Sequence, residues 1–329
     1  MFIPQVYAVA LGMMILSMIC WGSWANTQKA TGAWRFELFY WDYVWGILIL
    51  SLLAGFTVGR TDAASADSFL NSLRSTDGSH VMLALAGGAI FNLGNILLVA
   101  AIAIAGLAVA FPIGIGLALV IGAVLNYIVA PRGNPVLLFG GIALVCVAIV
   151  LDAMAYRKLA KDLKVTTKGI VVSLLSGVLI GVFYPLVAKA LQGERHLVPY
   201  SVFFVFALGI LACTIPANLI FMRRPVVGAP VTLADYFKGT GALHFWGILG
   251  GTIWGVGTVS NFVASYAQMV GPATSYALGQ GATMVSAIWG VFVWKEFAGA
   301  GQDARRLLAL MFAFFLVGLA CIALAPVVR

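Results

Sequence analysis

The chain has 329 residues, 62% of them hydrophobic and only 9% charged, with a formal net charge of +8 and a mean hydropathy of +1.04. A water-soluble protein carries about 25% charged residues, so an aqueous fold is excluded and a polytopic membrane protein is implied. The basic residues are scattered over short connections, which argues against nucleic acid as a partner and for a basic face beside anionic lipid headgroups.

Crossing the hydrocarbon takes about 20 apolar residues, and hydropathy predicts ten such spans. They lie near 5–25, 39–59, 81–104, 106–130, 135–156, 168–190, 198–222, 243–266, 271–294 and 305–326. The first is not a cleaved signal sequence, because no Lys or Arg precedes Lys29 and the positive leader region is missing. Between spans 1 and 2 aromatic residues crowd together, and an interfacial belt accounts for most of them. Asn26 and Asp42 are the members of that region a belt does not explain, and they are candidates for a gate or a coupling group. The longest polar connection, Arg60 to His80, reads as a surface loop.

Spans 3 and 4 fall in a stretch, Val81 to Pro131, that contains no Asp, Glu, Lys or Arg. Asn92 and Asn95 lie in span 3 and Asn126 in span 4. A basic connection follows span 5, and a division near Lys161–Lys164 gives two halves of five spans, 1–160 and 161–329. Five is odd, so related halves must insert upside down relative to each other. The second charge-free stretch, Gly239 to Trp294, holds spans 8 and 9 with Trp254, Asn261, Tyr266, Tyr276 and Gln280. Leu93-Gly94-Asn95 running on to Gly106 parallels Val259-Ser260-Asn261 running on to Gly271.

Loops after odd-numbered spans 1, 5, 7 and 9 carry Lys29, Arg35, Arg157, Lys158, Lys161, Lys164, Lys168, Arg223, Arg224, Lys238, Lys295, Arg305 and Arg306. The other face carries Arg60, Arg74, Arg132, Lys189, Arg195 and Arg329. The bias places the richer face in the cytoplasm and both termini outside a cell (plasma or inner) membrane.

No ionisable side chain lies near the middle of any span; Asp42, Asp152 and Lys189 sit near span ends. A neutral solute follows from that absence. Amides left unpaired in hydrocarbon cost several kcal/mol, so each needs another helix, water or a substrate. Asn95, Asn261 and Gln280 are the candidate hydrogen-bonding groups of a central site. Trp24 and Trp254 are its candidate stacking surfaces, with Tyr266 and Tyr276 as hydroxyl partners. The chain has no GxxxxGK[ST] loop, which argues against an ATP-driven pump. Four cysteines in apolar runs and three scattered histidines (His80, His196, His244) supply no metal or nucleophile cluster, so no cofactor and no enzyme are expected. Proton or sodium coupling and a homo-oligomer both stay open.

The run Leu93-Gly94-Asn95, Gly106-Leu107 and Val120-Ile121-Gly122 through Leu125-Asn126-Tyr127 resembles the third and fourth helices of plant ureide permeases, of the drug/metabolite transporter superfamily. Gly22, Trp24, Asp42-Tyr43, Asn261, Gln280 and Trp289-Gly290-Val291-Phe292 to Glu296 extend the similarity along nearly the whole chain. The resemblance implies ten helices in two inverted five-helix repeats around a central cavity. It also implies secondary, proton-linked uptake of ureides, uracil and related oxo-heterocycles. An acidic residue is implied where this chain has Phe111 and another where it has Ala277, and the long hydrophilic central loop of plant members is missing. The related glucose/ribose porter branch makes a sugar the rival solute, and an exporter of metabolites or drugs is the rival direction.

Overall fold

The computed structural model describes residues 1–60, 68–159 and 166–328, and their regular structure is helical throughout. The division near Lys161–Lys164, with the boundary between 1–160 and 161–329, lies outside the described residues. Where no water reaches the backbone, helices satisfy every N–H and C=O internally, and long apolar runs therefore fold as helices here. In chain order these are α1 (Tyr7–Ser23), α2 (Ala25–Ala30), α3 (Phe36–Phe56), α4 (Phe69–Ser75), α5 (Gly78–Ala105), α6 (Leu107–Val129) and α7 (Pro135–Leu159). The second half holds α8 (Thr167–Ala190), α9 (Pro199–Arg223), α10 (Leu233–Phe237), α11 (Gly241–Tyr266), α12 (Pro272–Gly279), α13 (Ala282–Ile288) and α14 (Gln302–Leu324). A single π turn, Trp289–Val293, continues α13.

Among the described residues nine helical segments are long and apolar enough to cross a membrane, with α1 and α2 counting as one and α12, α13 and the π turn as another. The sequence expectation of ten differs at one place. The eighth expected span is α11, which has 26 residues but falls short in apolar character. Most of its Gly, Ser, Thr and Asn residues are buried, Gly241 and Thr252 excepted, because it packs between α1 and α3 with these small and polar side chains turned towards protein.

Helix contacts repeat between the halves. Helix α5 packs on α8 and α9, and α11 packs on α1 and α3. Helix α6 meets α8, as α13 meets α1. The crossings are also built alike. A Cβ on Gly88 would fall on the Phe206 carbonyl, and one on Gly209 on the Leu85 carbonyl. In the other crossing a Cβ on Gly251 would fall on the Tyr43 carbonyl, and one on Gly46 on the Ile248 carbonyl. Glycine is required at these four places because the backbones touch. Gly106 and Gly271, at φ 76° and 85°, occupy the same left-handed turn before α6 and α12, a conformation glycine adopts without strain.

Contacts at the two ends of the bundle order the chain between them. At one end Phe2 N donates to the Val58 carbonyl (3.0 Å) and Asn134 N to the Ala325 carbonyl (2.7 Å). Tyr7 donates to the Ala323 carbonyl there, and Arg132 to the Gln268 carbonyl (2.7 Å). At the other end Lys29 pairs with Glu296 (2.7 Å) and Asn218 donates to the Glu37 carbonyl (2.8 Å). Both chain ends therefore lie at the first end.

Replacing Gly251 with valine should drive α11 off α3 and lower stability by about 1–3 kcal/mol, the usual penalty for overpacking. Gly12→Ala, inside α1 at a position with nothing within 4 Å of the added carbon, should keep or slightly raise the melting temperature in detergent, since alanine favours the helix over glycine.

Candidate functional site

Flat side chains from three helices assemble at the centre of the bundle. Trp254 of α11 stacks on Phe91 of α5 with ring centres 4.6 Å apart and on Trp21 of α1 at 6.4 Å. Trp21 is held in place because its Nε1 donates to Thr258 Oγ1 at 3.0 Å. Such packing of large rigid rings leaves a hollow, a cavity of about 420 Å³ whose walls include Trp21, Trp24, Phe91, Asn95, Trp254 and Gln280.

The two amides in that wall are held differently. Asn95 Nδ2 donates to the Tyr40 hydroxyl (3.1 Å), which in turn donates to Asn92 Oδ1 (2.8 Å), a group also bonded by Thr214 (3.2 Å). This chain fixes the Asn95 amide and leaves its Oδ1 with no donor among the described residues. Gln280 stands where α12 stops and α13 begins. Its backbone N donates to the Tyr276 carbonyl (3.2 Å) and its carbonyl accepts from Thr283 (3.0 Å). No hydrogen bond reaches its side chain among the described residues, so the whole amide is available. The site therefore offers a fixed acceptor, a free donor–acceptor pair and aromatic plates.

Four of the residues expected from the sequence thus share one cavity: Trp24, Asn95, Trp254 and Gln280. Asn261, Tyr276 and Tyr266 are placed elsewhere. Asn261 Oδ1 accepts from the Tyr184 hydroxyl (2.5 Å), and its Nδ2 donates to Ser17 Oγ (3.1 Å) and the Ser275 carbonyl (3.0 Å). Tyr276 donates to the Ala118 carbonyl (3.0 Å). Both side chains are fully buried, and together with Tyr184 they clamp α1, α6, α8, α11 and α12 on the side of the cavity nearer Tyr266 and Pro272. Tyr266 lies beyond that clamp, with its hydroxyl 3.0 Å from His196 Nε2, in a separate hollow of about 380 Å³ that Arg132 and Gln192 also line. Asn95 and Asn261 were expected as a matched pair; the structure gives one to the cavity and the other to the clamp. The turn glycine Gly106 follows Asn95 by eleven residues and Gly271 follows Asn261 by ten, and an offset of one residue turns a side chain by about 100° on a helix.

The two expected gate residues also separate. Asn26 accepts from Trp294 Nε1 at 2.6 Å. It lines a second hollow of about 260 Å³ with Lys29, Trp294 and Glu296. That hollow shares Ala25, Ile102, Phe111, Thr283 and Ser286 with the central cavity, so it forms a vestibule leading to the Lys29 end of the bundle. Burial works to raise the Glu296 carboxyl, but hydrogen bonds from Lys29 and Tyr156 outweigh it and hold the group below the usual range. Asp42 is buried at the same end, away from the vestibule. It accepts from Tyr236 (2.6 Å) and lies 2.8 Å from His244 Nδ1, joining α3, α10 and α11. Burial and then the Asp42 carboxylate push the Tyr236 phenol up.

Sequence reasoning missed Trp21, Phe91, Phe183 and Gln28 as cavity residues. Trp21 was absorbed into the interfacial belt. Phe91 precedes Asn95 by four residues, so the two share a helix face, and that spacing could have found it.

Two segments, residues 39–170 and 161–325, match the model of the ureide permease family. The chain belongs to the ureide permease family. It is a membrane transporter. Ureide permease 4 of Arabidopsis thaliana is 25% identical, with 97% of this chain and 98% of that protein covered. Ureide permease 2 of the same plant is 24% identical with the same coverage. A relative matched over a shorter stretch, Transmembrane protein 144 homolog B of Dictyostelium discoideum, is 28% identical over 46% of this chain and 39% of its own length. A solved crystal structure at 15% identity shares the fold, with a TM-score of 0.62 over 94% of this chain and 96% of the other.

The two classes of amide should separate experimentally. Asn261→Leu strands Tyr184 and Ser17 in the clamp and should destabilise the permease by about 1–3 kcal/mol. Gln280→Ala removes a side chain with no hydrogen-bond partner among the described residues and should leave the melting temperature nearly unchanged in the absence of solute.

Proposed function

We propose that this permease is a secondary active transporter of a small neutral polar solute, a ureide, nucleobase or related oxo-heterocycle, working by alternating access. The observation that carries the reading is the central cavity, whose wall combines aromatic rings with Asn95 and Gln280, two amides with hydrogen-bonding capacity left over among the described residues. A flat amide ring packs against such a wall and returns complementary donors and acceptors. Its volume of about 420 Å³ falls in the ordinary range for small-molecule sites. The names of the curated relatives point to the same solute class.

Ten crossings in two inverted halves, 1–160 and 161–329, fit the contacts at the bundle ends, between which the chain alternates with α11 counted as a crossing. The matched glycine crossings support the same division. In such transporters the halves rock about a site near the midplane. The vestibule leads to the end rich in basic residues, which positive-inside bias assigns to the cytoplasm, so this conformation is inward-facing, with both termini outside a plasma or inner membrane. The Tyr184–Asn261–Tyr276 clamp closes the other side.

Ligands that bind the folded state raise its melting temperature. Ureides and uracil should do so for the purified permease, and hexoses and pentoses should not; stabilisation by sugars alone would overturn the solute class in favour of a sugar porter. Asn95→Leu or Gln280→Ala should weaken binding of the stabilising solute about tenfold, the value of one lost hydrogen bond. Unchanged uptake of radiolabelled uracil or allantoin by both variants in vesicles would remove the cavity assignment. Lower accumulation in cells expressing the permease would reverse the direction to export.

A further inference from the structure

Asp152 lies in the last third of α7 and lines the vestibule between the central cavity and the Lys29 end of the bundle. It is buried, with 8% of its surface exposed. No hydrogen bond reaches it among the described residues, and its Oδ1 is sealed from solvent with no partner. The other titratable groups in the vestibule wall are Lys29 from α2, Tyr156 one turn further along α7, and Glu296 beyond α13. All three are committed to one another. Lys29 Nζ pairs with Glu296 Oε1 at 2.7 Å and sits 4.2 Å from the centre of the Trp294 ring. Tyr156 donates to Glu296 Oε2, also at 2.7 Å. Among the described residues the cation in the wall, Lys29, is therefore spent on Glu296, and no other pairs with Asp152.

An ionised carboxylate in that position is heavily penalised: it is out of water, undonated and close to a second carboxylate. It needs one positive charge. A hard metal cation asks for about six oxygen ligands, and the vestibule offers Asp152 no second free carboxylate. A proton needs one oxygen.

We infer that Asp152 is the site at which this permease takes up and releases one proton per transport cycle, in the passage that the solute must traverse between cavity and basic face. The assignment rests on the transport reading above. A solute leaving the cavity moves past Phe111 and Ser286, which line both hollows, and so passes beside the carboxyl. Solvation of the vestibule lets Asp152 ionise; closure of the vestibule around it requires the proton to return. That alternation ties proton movement to the same rearrangement that exposes the solute.

The test uses the full-length permease in proteoliposomes with radiolabelled uracil and allantoin as probes and the membrane potential clamped at zero. Wild type should accumulate its probe up to about tenfold per pH unit of gradient, the limit for one coupled proton. Asp152→Asn should carry out solute counterflow, which moves no net proton, yet show no accumulation driven by the pH gradient. Asp152→Glu should restore it. Gradient-driven accumulation by Asp152→Asn equal to wild type would overturn the proposal, as would counterflow in wild type with no response to the gradient. Loss of probe binding by a folded Asp152→Asn would also overturn it, assigning the carboxyl to the solute instead. If wild type exchanges neither probe, the solute assignment has failed rather than the proton site. Tryptophan fluorescence then reads the site without a solute, because Trp289 and Trp294 line the same vestibule. A pH-dependent change in wild type that Asp152→Asn lacks and Asp152→Glu regains supports the proposal, and identical pH profiles overturn it.

Discussion

In hydrocarbon a polar side chain must find a partner, and this single constraint sorts the buried polar groups of the permease. Asn261 is fully bonded, to Tyr184, Ser17 and Ser275, and so belongs to the scaffold. Among the described residues Asn95 is bonded through its nitrogen and has no donor at its oxygen, and the Gln280 side chain has no hydrogen-bond partner. The free groups border a cavity, where a solute can complete them. The same rule leaves exceptions within the spans: besides Asp152 Oδ1, the sealed atoms Tyr43 Oη, Asn92 Nδ2, Asn126 Oδ1 and Thr274 Oγ1 have no partner among the described residues, and nothing in the structure explains these four.

The scaffold that poses these groups depends on backbone contact. Four glycines, Gly46, Gly88, Gly209 and Gly251, bring α3 against α11 and α5 against α9. The approach is close enough that any side chain would intervene. Close crossings place Trp254 and Phe91 from the two charge-free stretches face to face. Smooth contacts between small residues also allow helices to slide, which a rocking mechanism requires. Fixed hydrogen bonds and sliding surfaces are thus divided between different parts of the same helices.

Much of this was legible in the sequence. Charge-free runs gave the helices, and the two stretches that hold them, Val81 to Pro131 and Gly239 to Trp294, do meet at the cavity. Trp254 and Gln280 stood out as polar or aromatic residues on otherwise small-residue helices. Which face an amide occupies was not legible. The parallel between Asn95 and Asn261 rested on neighbouring glycines, and an offset of a few residues on a helix turns a side chain from cavity to clamp. Helix α11 was readable as a span by length, yet its hydropathy is low because its faces meet protein rather than lipid. Partner satisfaction, which depends on residues more than a hundred positions apart such as Tyr184 and Asn261, has no local signature.

The placement of charge completes the logic. A neutral solute can be held by a few amides in a low-dielectric slot, where a fixed charge would have to be neutralised at every step of the cycle. Among the described residues no Asp, Glu, Lys or Arg lines the central cavity, and the carboxyls lie towards the end of the bundle. There Glu296 has its lysine and tyrosine, and Asp42 has His244 and Tyr236. Phe111, where the family resemblance implies an acidic residue, faces both hollows, and Asp152 lines one of them. An acid displaced from the cavity wall into the vestibule would keep its proton exchange beside the solute path while leaving the binding slot uncharged. Under the proposal for Asp152, the coupling charge and the binding groups stand in separate hollows, and each can change without disturbing the other.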